Sequence, residues 1–177
     1  MTKRNAVHQI ALLAILISLA LLMGYVEHLL PLPIGIPGVK LGLSNLITVV
    51  ALFVLHEKSA IIISLSRIFI SGLLFGSFTS FCYSLAGGLL SLIIMLSVKH
   101  FLPQRPCTVS MLGGIAHNIG QIAVAALMLD SMALAFYLPV LVICGALTGF
   151  GIGLAEMPIE KALRKILYIQ KEKTDRK

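Results

Sequence analysis

Cysteine, acidic residues and nucleotide-binding loops are all scarce or missing in this chain of 177 residues. Its three cysteines, Cys82, Cys107 and Cys144, are scattered and form no Cys-x-x-Cys pair. Thiol redox chemistry and a thiol-held metal therefore have no support. Neither Gly-x-x-x-x-Gly-Lys nor Gly-x-Gly-x-x-Gly occurs, and the glycines at Gly42 and at Gly113 and Gly114 sit inside apolar stretches. The chain thus hydrolyses no nucleotide by itself. Charged residues make up only 12% of it against 58% hydrophobic ones, with a mean hydropathy of +1.01. Such a chain cannot cover itself with a water-compatible surface, and it reads as an integral membrane protein with no catalytic residue, metal or cofactor of its own.

Six apolar segments follow one another, at Val7 to Leu30, Val39 to Leu55, Ser59 to Phe75, Phe78 to Val98, Cys107 to Leu129 and Met132 to Ala155. Each is long enough to span, which predicts an all-α polytopic membrane protein with one six-helix domain over residues 1–170. Residues 171–177 read as a disordered basic tail, preceded by an amphipathic basic stretch from Ile159. With both termini in the cytoplasm, that side collects Lys3, Arg4, Lys58, Lys99, Arg105, Lys161, Arg164, Lys165, Lys171, Lys173, Arg176 and Lys177, which is 12 of the 14 Lys and Arg residues. The positive-inside rule selects this orientation, and the expected location is a bacterial cytoplasmic membrane. The net charge of +7 is then a topology signal and not a nucleic-acid footprint. The first segment is too long for a signal peptide and lacks a small-residue cleavage pattern, so it reads as a retained helix.

Arg67 stands near the middle of the third segment, a run about 25 Å long as a helix. A guanidinium at such depth costs at least about 2.5 to 3.5 kcal/mol, so it has to face a partner, a protein interior or a ligand. Glu27, Glu57, Asp130 and Glu156 all fall near segment ends. Arg67 thus either binds an anionic or carbonyl-rich ligand or belongs to a structural network. Lys40, Ser44 and Thr48 recur at four-residue spacing on the second helix with Asn45 beside them, and Ser64, Arg67 and Ser71 share a face on the third. Gly113, His117 and Gln121 form a further stripe on the fifth, with Asn118 adjacent, and Tyr83 and Gly87 share a face on the fourth. The candidate substrate-binding set is Lys40, Asn45, Arg67, Tyr83, His117, Asn118 and Gln121, in a pocket between the second, third and fifth helices. The bland alternatives stay open: Lys40 snorkels to the headgroups, the amides and His117 glue helices together, and the hydroxyls bond their own backbones.

Small residues repeat as Gly145, Gly149 and Gly153 on the sixth helix and as Ala14 and Ser18 on the first. These stripes let helices approach closely in lipid, either within the bundle or against a docked partner. Between the first two segments, Pro31, Pro33 and Pro37 interrupt any helix and predict a stiff loop, a tight connector or a cap over a cavity.

The stretch Pro37-Gly-Val-Lys-Leu-Gly-Leu-Ser-Asn45, the segment of Arg67 ending in Gly72-Leu-Leu-Phe-Gly76, and Tyr83-Ser-Leu-Ala-Gly-Gly88 resemble a small membrane family called both Gx transporter and heptaprenyl diphosphate synthase component I. That family is in turn similar to the S components of energy-coupling factor transporters. The resemblance implies six helices with both termini inside, a pocket near the outer face for a small organic substrate, and a transmembrane coupling subunit with two ATPases as partners. S components often dock through Ala-x-x-x-Ala on the first helix, where this chain has Ala14-x-x-x-Ser18. The other label implies a prenyl synthase partner. Such a synthase holds Mg²⁺ with clustered aspartates, whereas this chain has two, Asp130 and Asp175, far apart. It is then an accessory and not the catalytic subunit. A membrane anchor for a redox or enzyme partner is a third reading.

Overall fold

The computed structural model describes residues 3–29 and 41–175. The loop of Pro31 to Gly38 and Lys40 lie outside the described residues. The helices are α1 (Lys3–Leu29), α2 (Leu43–Val54), α3 (Glu57–Phe75), α4 (Phe78–Phe101), α5 (Pro106–Met128) and α6 (Leu138–Asp175), with a 3₁₀ turn at Met132–Tyr137 before α6. Local chemistry sets several boundaries. The Ser77 side chain accepts a hydrogen bond from the Ser80 backbone N–H at 3.2 Å and caps α4. Pro106 opens α5, where its missing N–H costs nothing. Glu57 places a negative charge in the first turn of α3.

Four stretches are long and apolar enough to cross a membrane: Val7–Glu27, Phe78–Phe101, Pro106–Met128 and Met132–Lys165. The second and third predicted spans are not among these four, and the second is also short. Among its described residues only 12 are helical, about 18 Å, well short of a hydrocarbon layer of about 30 Å. A Cβ on Gly42 would lie 2.9 Å from Ile152 Cδ1, and Ile152 is already about 21 Å along α6. Helix α2 therefore begins deep inside the bundle. Its N-cap, Gly42, has φ 75°, a left-handed conformation that favours glycine.

Both ends of α2 are held by charged side chains from other helices. At its start the Gly42 N–H donates to Glu27 Oε1 of α1 at 2.5 Å. At its finish Lys99 Nζ of α4 donates to the Leu52 carbonyl and Arg164 Nη2 of α6 to the Phe53 carbonyl, each at 2.7 Å. Lys99 also lies 4.0 Å from Glu57. Between these ends Ile47 to Phe53 are all buried against α1, α3 and α6.

Helices α4, α5 and α6 are joined through glycine. A Cβ at Gly145 would sit 2.7 Å from the Gly114 carbonyl, one at Gly120 2.8 Å from the Ala86 carbonyl, and one at Gly149 2.8 Å from Met111 Cα. The stripe Gly145, Gly149 and Gly153 is thus buried against α5, which uses its close approach inside the chain and leaves it no docking face. Ala14 and Ser18, by contrast, are exposed on α1. The predicted disordered tail also differs: α6 continues to Asp175 as one helix of 38 residues, and Gln170, Lys171, Glu172 and Lys173 are all good helix formers.

Gly149→Ala should cost about 1 to 3 kcal/mol, because the added methyl meets backbone that cannot yield. Gly151→Ala, whose Cβ would meet nothing within 4 Å, should be neutral or stabilising by up to about 1 kcal/mol. Unfolding in mixed micelles measures both, and equal effects would contradict the packing.

Candidate functional site

A cavity of about 350 Å³ lies where α2 begins, and all six helices contribute to it. From α1 come Gly24, Tyr25 and Glu27; from α2 and the residues before it Leu41, Gly42, Ser44 and Asn45; from α3 Arg67, Ile68, Ser71 and Gly72. The opposite wall is Ser80, Ser84, Gly88 and Ser91 of α4, Gly114, His117 and Asn118 of α5, and Gly145, Thr148, Gly149 and Ile152 of α6. Four of the predicted residues, Asn45, Arg67, His117 and Asn118, are brought together here. Tyr83 and Gln121 are not among the lining residues; Gln121 Cγ packs on Gly87 instead. The predicted pocket between three helices is therefore a pocket among six.

Arg67 is the centre of this site. Its Nη1 donates to Ser44 Oγ at 2.6 Å, which ties α3 to the first turn of α2. Its Nε is buried and has no hydrogen-bond partner among the described residues. The first-turn N–H groups of a helix have no partners within it and carry the positive end of the helix dipole. Guanidinium and helix terminus together make this wall attractive to negative charge, part of which Glu27 supplies.

Glu27 corrects the expectation that no acid is near. It lines the same cavity and acts electrostatically on Arg67. In sequence it stands at the end of a helix, but the neighbour it meets there is the start of the recessed α2. Glu156, also placed near a segment end, is fully buried. Asn118 is committed to structure, since its Nδ2 donates to the Leu141 carbonyl at 2.6 Å and pins α5 to α6.

The cavity hydroxyls, Ser44, Ser71, Ser80, Ser84, Ser91 and Thr148, were the least legible part. Hydroxyls in apolar helices usually bond back to their own helix, as Ser18, Ser97 and Thr148 do. The available signal was register: Ser71 shares the Arg67 face, and Ser80, Ser84 and Gly88 form one stripe.

The length and composition of the helices, closed around a cavity, define a multi-pass membrane protein. The chain belongs to the heptaprenyl diphosphate synthase component I family, whose model matches residues 16–158. No curated protein and no solved structure matches it.

Ser44→Ala removes the hydrogen bond that Arg67 makes among the described residues and should destabilise the bundle by about 1.5 to 3 kcal/mol, the range for a bond to a charged group. Ser71→Ala, in the same cavity and not bonded to Arg67 among the described residues, should change stability by less than about 0.5 kcal/mol. Thermal unfolding in one detergent ranks the two, and a reversed order would detach Ser44 from the site.

Proposed function

We propose that this protein is a membrane substrate-binding subunit that captures a small organic molecule carrying an anionic or quinone- or isoprenoid-related head, and that it performs no catalysis itself. The observation that carries this reading is Arg67: a guanidinium whose Nε is unpartnered among the described residues, in a cavity of about 350 Å³ beside the start of α2. That volume lies within the usual range for small-ligand pockets. Arg67 and the first turn of α2 hold the acidic head; Asn45, His117 and the cavity hydroxyls orient the rest, and Lys40 adds positive charge.

In the transport setting the chain works as an S-component-like subunit with both termini in the cytoplasm, and a coupling subunit with ATPases supplies the energy. A partner helix would approach at Ala14 and Ser18, the small pair left exposed on α1. The family description favours a second setting, in which the chain is the non-catalytic accessory of a separate synthase subunit, component II. Asp130 and Asp175 are too few and too far apart in sequence for the magnesium-dependent chemistry of such a synthase. Pull-down separates the settings: ATPases with a transmembrane subunit support transport, and a soluble prenyl synthase supports the accessory role.

Native mass spectrometry of the purified protein should find a co-purifying acidic small molecule. Arg67→Lys keeps the charge but loses the planar fork, so retention of that ligand should weaken by about 1 to 3 kcal/mol. Arg67→Met should retain none while the chain still folds. Failure of both variants to fold would assign Arg67 to a structural network instead. For orientation, a single cysteine at Ser131 in a cysteine-free background should react with an impermeant thiol reagent on intact cells, and one at Gln104 should not. Labelling at Gln104 alone inverts the topology.

A further inference from the structure

Glu156 has no part in the cavity, yet it is the one charged side chain that is fully buried among the described residues, at 0% exposure. Neither of its carboxylate oxygens has a hydrogen-bond donor there. It follows Ile152 by four residues on α6, one helical turn from the cavity wall and towards the end of the bundle that holds Lys58, Lys99 and Arg105. On α5, Ser110 precedes the cavity residue Gly114 by four. It too is 0% exposed, with an unpartnered Oγ. The two helices touch backbone to backbone at this level, where Gly149 meets the Ser110 carbonyl and Gly153 meets Cys107 and Pro106. Ser110 differs from Ser18, Ser97 and Thr148, whose hydroxyls return to their own helices.

A bare carboxylate buried without donors costs several kcal/mol even after relaxation, so its charge has to be met. Two of the nearby cations are engaged with other groups. Arg164 binds Glu160 at 2.7 Å and the Phe53 carbonyl, and Lys99 binds the Leu52 carbonyl and Glu57. The charges acting on Glu156 from its own helix are those of Glu160 and Arg164. Of the elements packed against α6, α2 carries no titratable side chain, α5 carries Cys107 and His117, and the 3₁₀ turn carries Tyr137 at the other end of the bundle. A divalent ion would need several carboxylates, and the described residues hold no cluster of three His, Cys, Asp or Glu.

We propose that Glu156 is the anchor of a small monovalent-cation site one turn beneath the cavity, occupied by a proton or by sodium. The assignment does not depend on what the cavity binds. A cation held there shares α5 and α6 with the cavity wall through Gly114, Gly149 and Ile152, so filling one site bears on the other.

The experiment uses the full chain in lipid nanodiscs at constant ionic strength. If the ion is sodium, exchanging choline chloride for sodium chloride should raise the thermal midpoint saturably, with potassium weaker, by linkage of binding to stability, and Glu156→Gln should abolish the response. If it is a proton, sodium should have no effect, and the infrared spectrum should contain a protonated-carboxyl band that Glu156→Gln removes. Glu156→Asp keeps the carboxyl and should shift that band, or weaken the sodium response, which covers the case in which the Gln variant does not fold. A wild-type protein with neither the band nor a sodium response holds a bare carboxylate, and the proposal falls.

Discussion

The bundle is organised around the recessed helix α2. A helix that stops inside the hydrocarbon layer exposes polar backbone at both ends, and in lipid each unmet group costs several kcal/mol. The chain answers with charged side chains drawn from three other helices: Glu27 at the Gly42 N–H, and Lys99 and Arg164 at the Leu52 and Phe53 carbonyls. The signs are those the helix dipole favours, an anion at the start and cations at the finish. These contacts fix the level of α1, α4 and α6 against α2. They also leave the first turn of α2 facing a cavity in place of lipid.

This explains which features were legible in the sequence. The positions and class of the helices followed from hydropathy, because the energy that imposes them acts along the chain one segment at a time. Arg67, Asn45, His117 and Asn118 were also found, since polar residues in apolar helices are conspicuous and their register aligns them. Depth was not legible. The run Val39 to Leu55 is long enough to span, but a glycine in left-handed geometry at Gly42 starts the helix late. Once α2 is recessed, Glu27 ceases to be an end residue and becomes a wall of the site. Glu156 was misplaced for a related reason: distance along α6 puts it near an end, while its burial is decided by α2 and α5, which sequence periodicity does not identify as neighbours.

The glycine stripe shows the same limit. Spacing establishes that Gly145, Gly149 and Gly153 form a smooth face, and the physics of lipid makes any such face adhesive. It does not say to what. The answer, α5, depends on Gly114 and Ser110 presenting backbone at the matching levels. Helices α4, α5 and α6 are joined by such contacts, whereas α1 is largely exposed, with only 6% of its apolar window buried. The two parts differ in kind: backbone contact on one side, single charged hydrogen bonds on the other.

The charged groups inside the bundle can be ordered by how fully their partners satisfy them. Lys99 and Arg164 each meet both a carbonyl and a carboxylate. Glu27 holds one backbone N–H. Among the described residues Arg67 has one hydroxyl for a fork of five donors, and Glu156 has no donor. The cost of burial rises along that series, since an unmet charge keeps its full desolvation penalty while a paired one recovers part of it. Groups engaged only in holding the helices would be expected at the satisfied end. Arg67 and Glu156 stand at the other end, one in the cavity wall and one a turn beyond it, where a bound anion and a bound cation would supply what the described residues leave out.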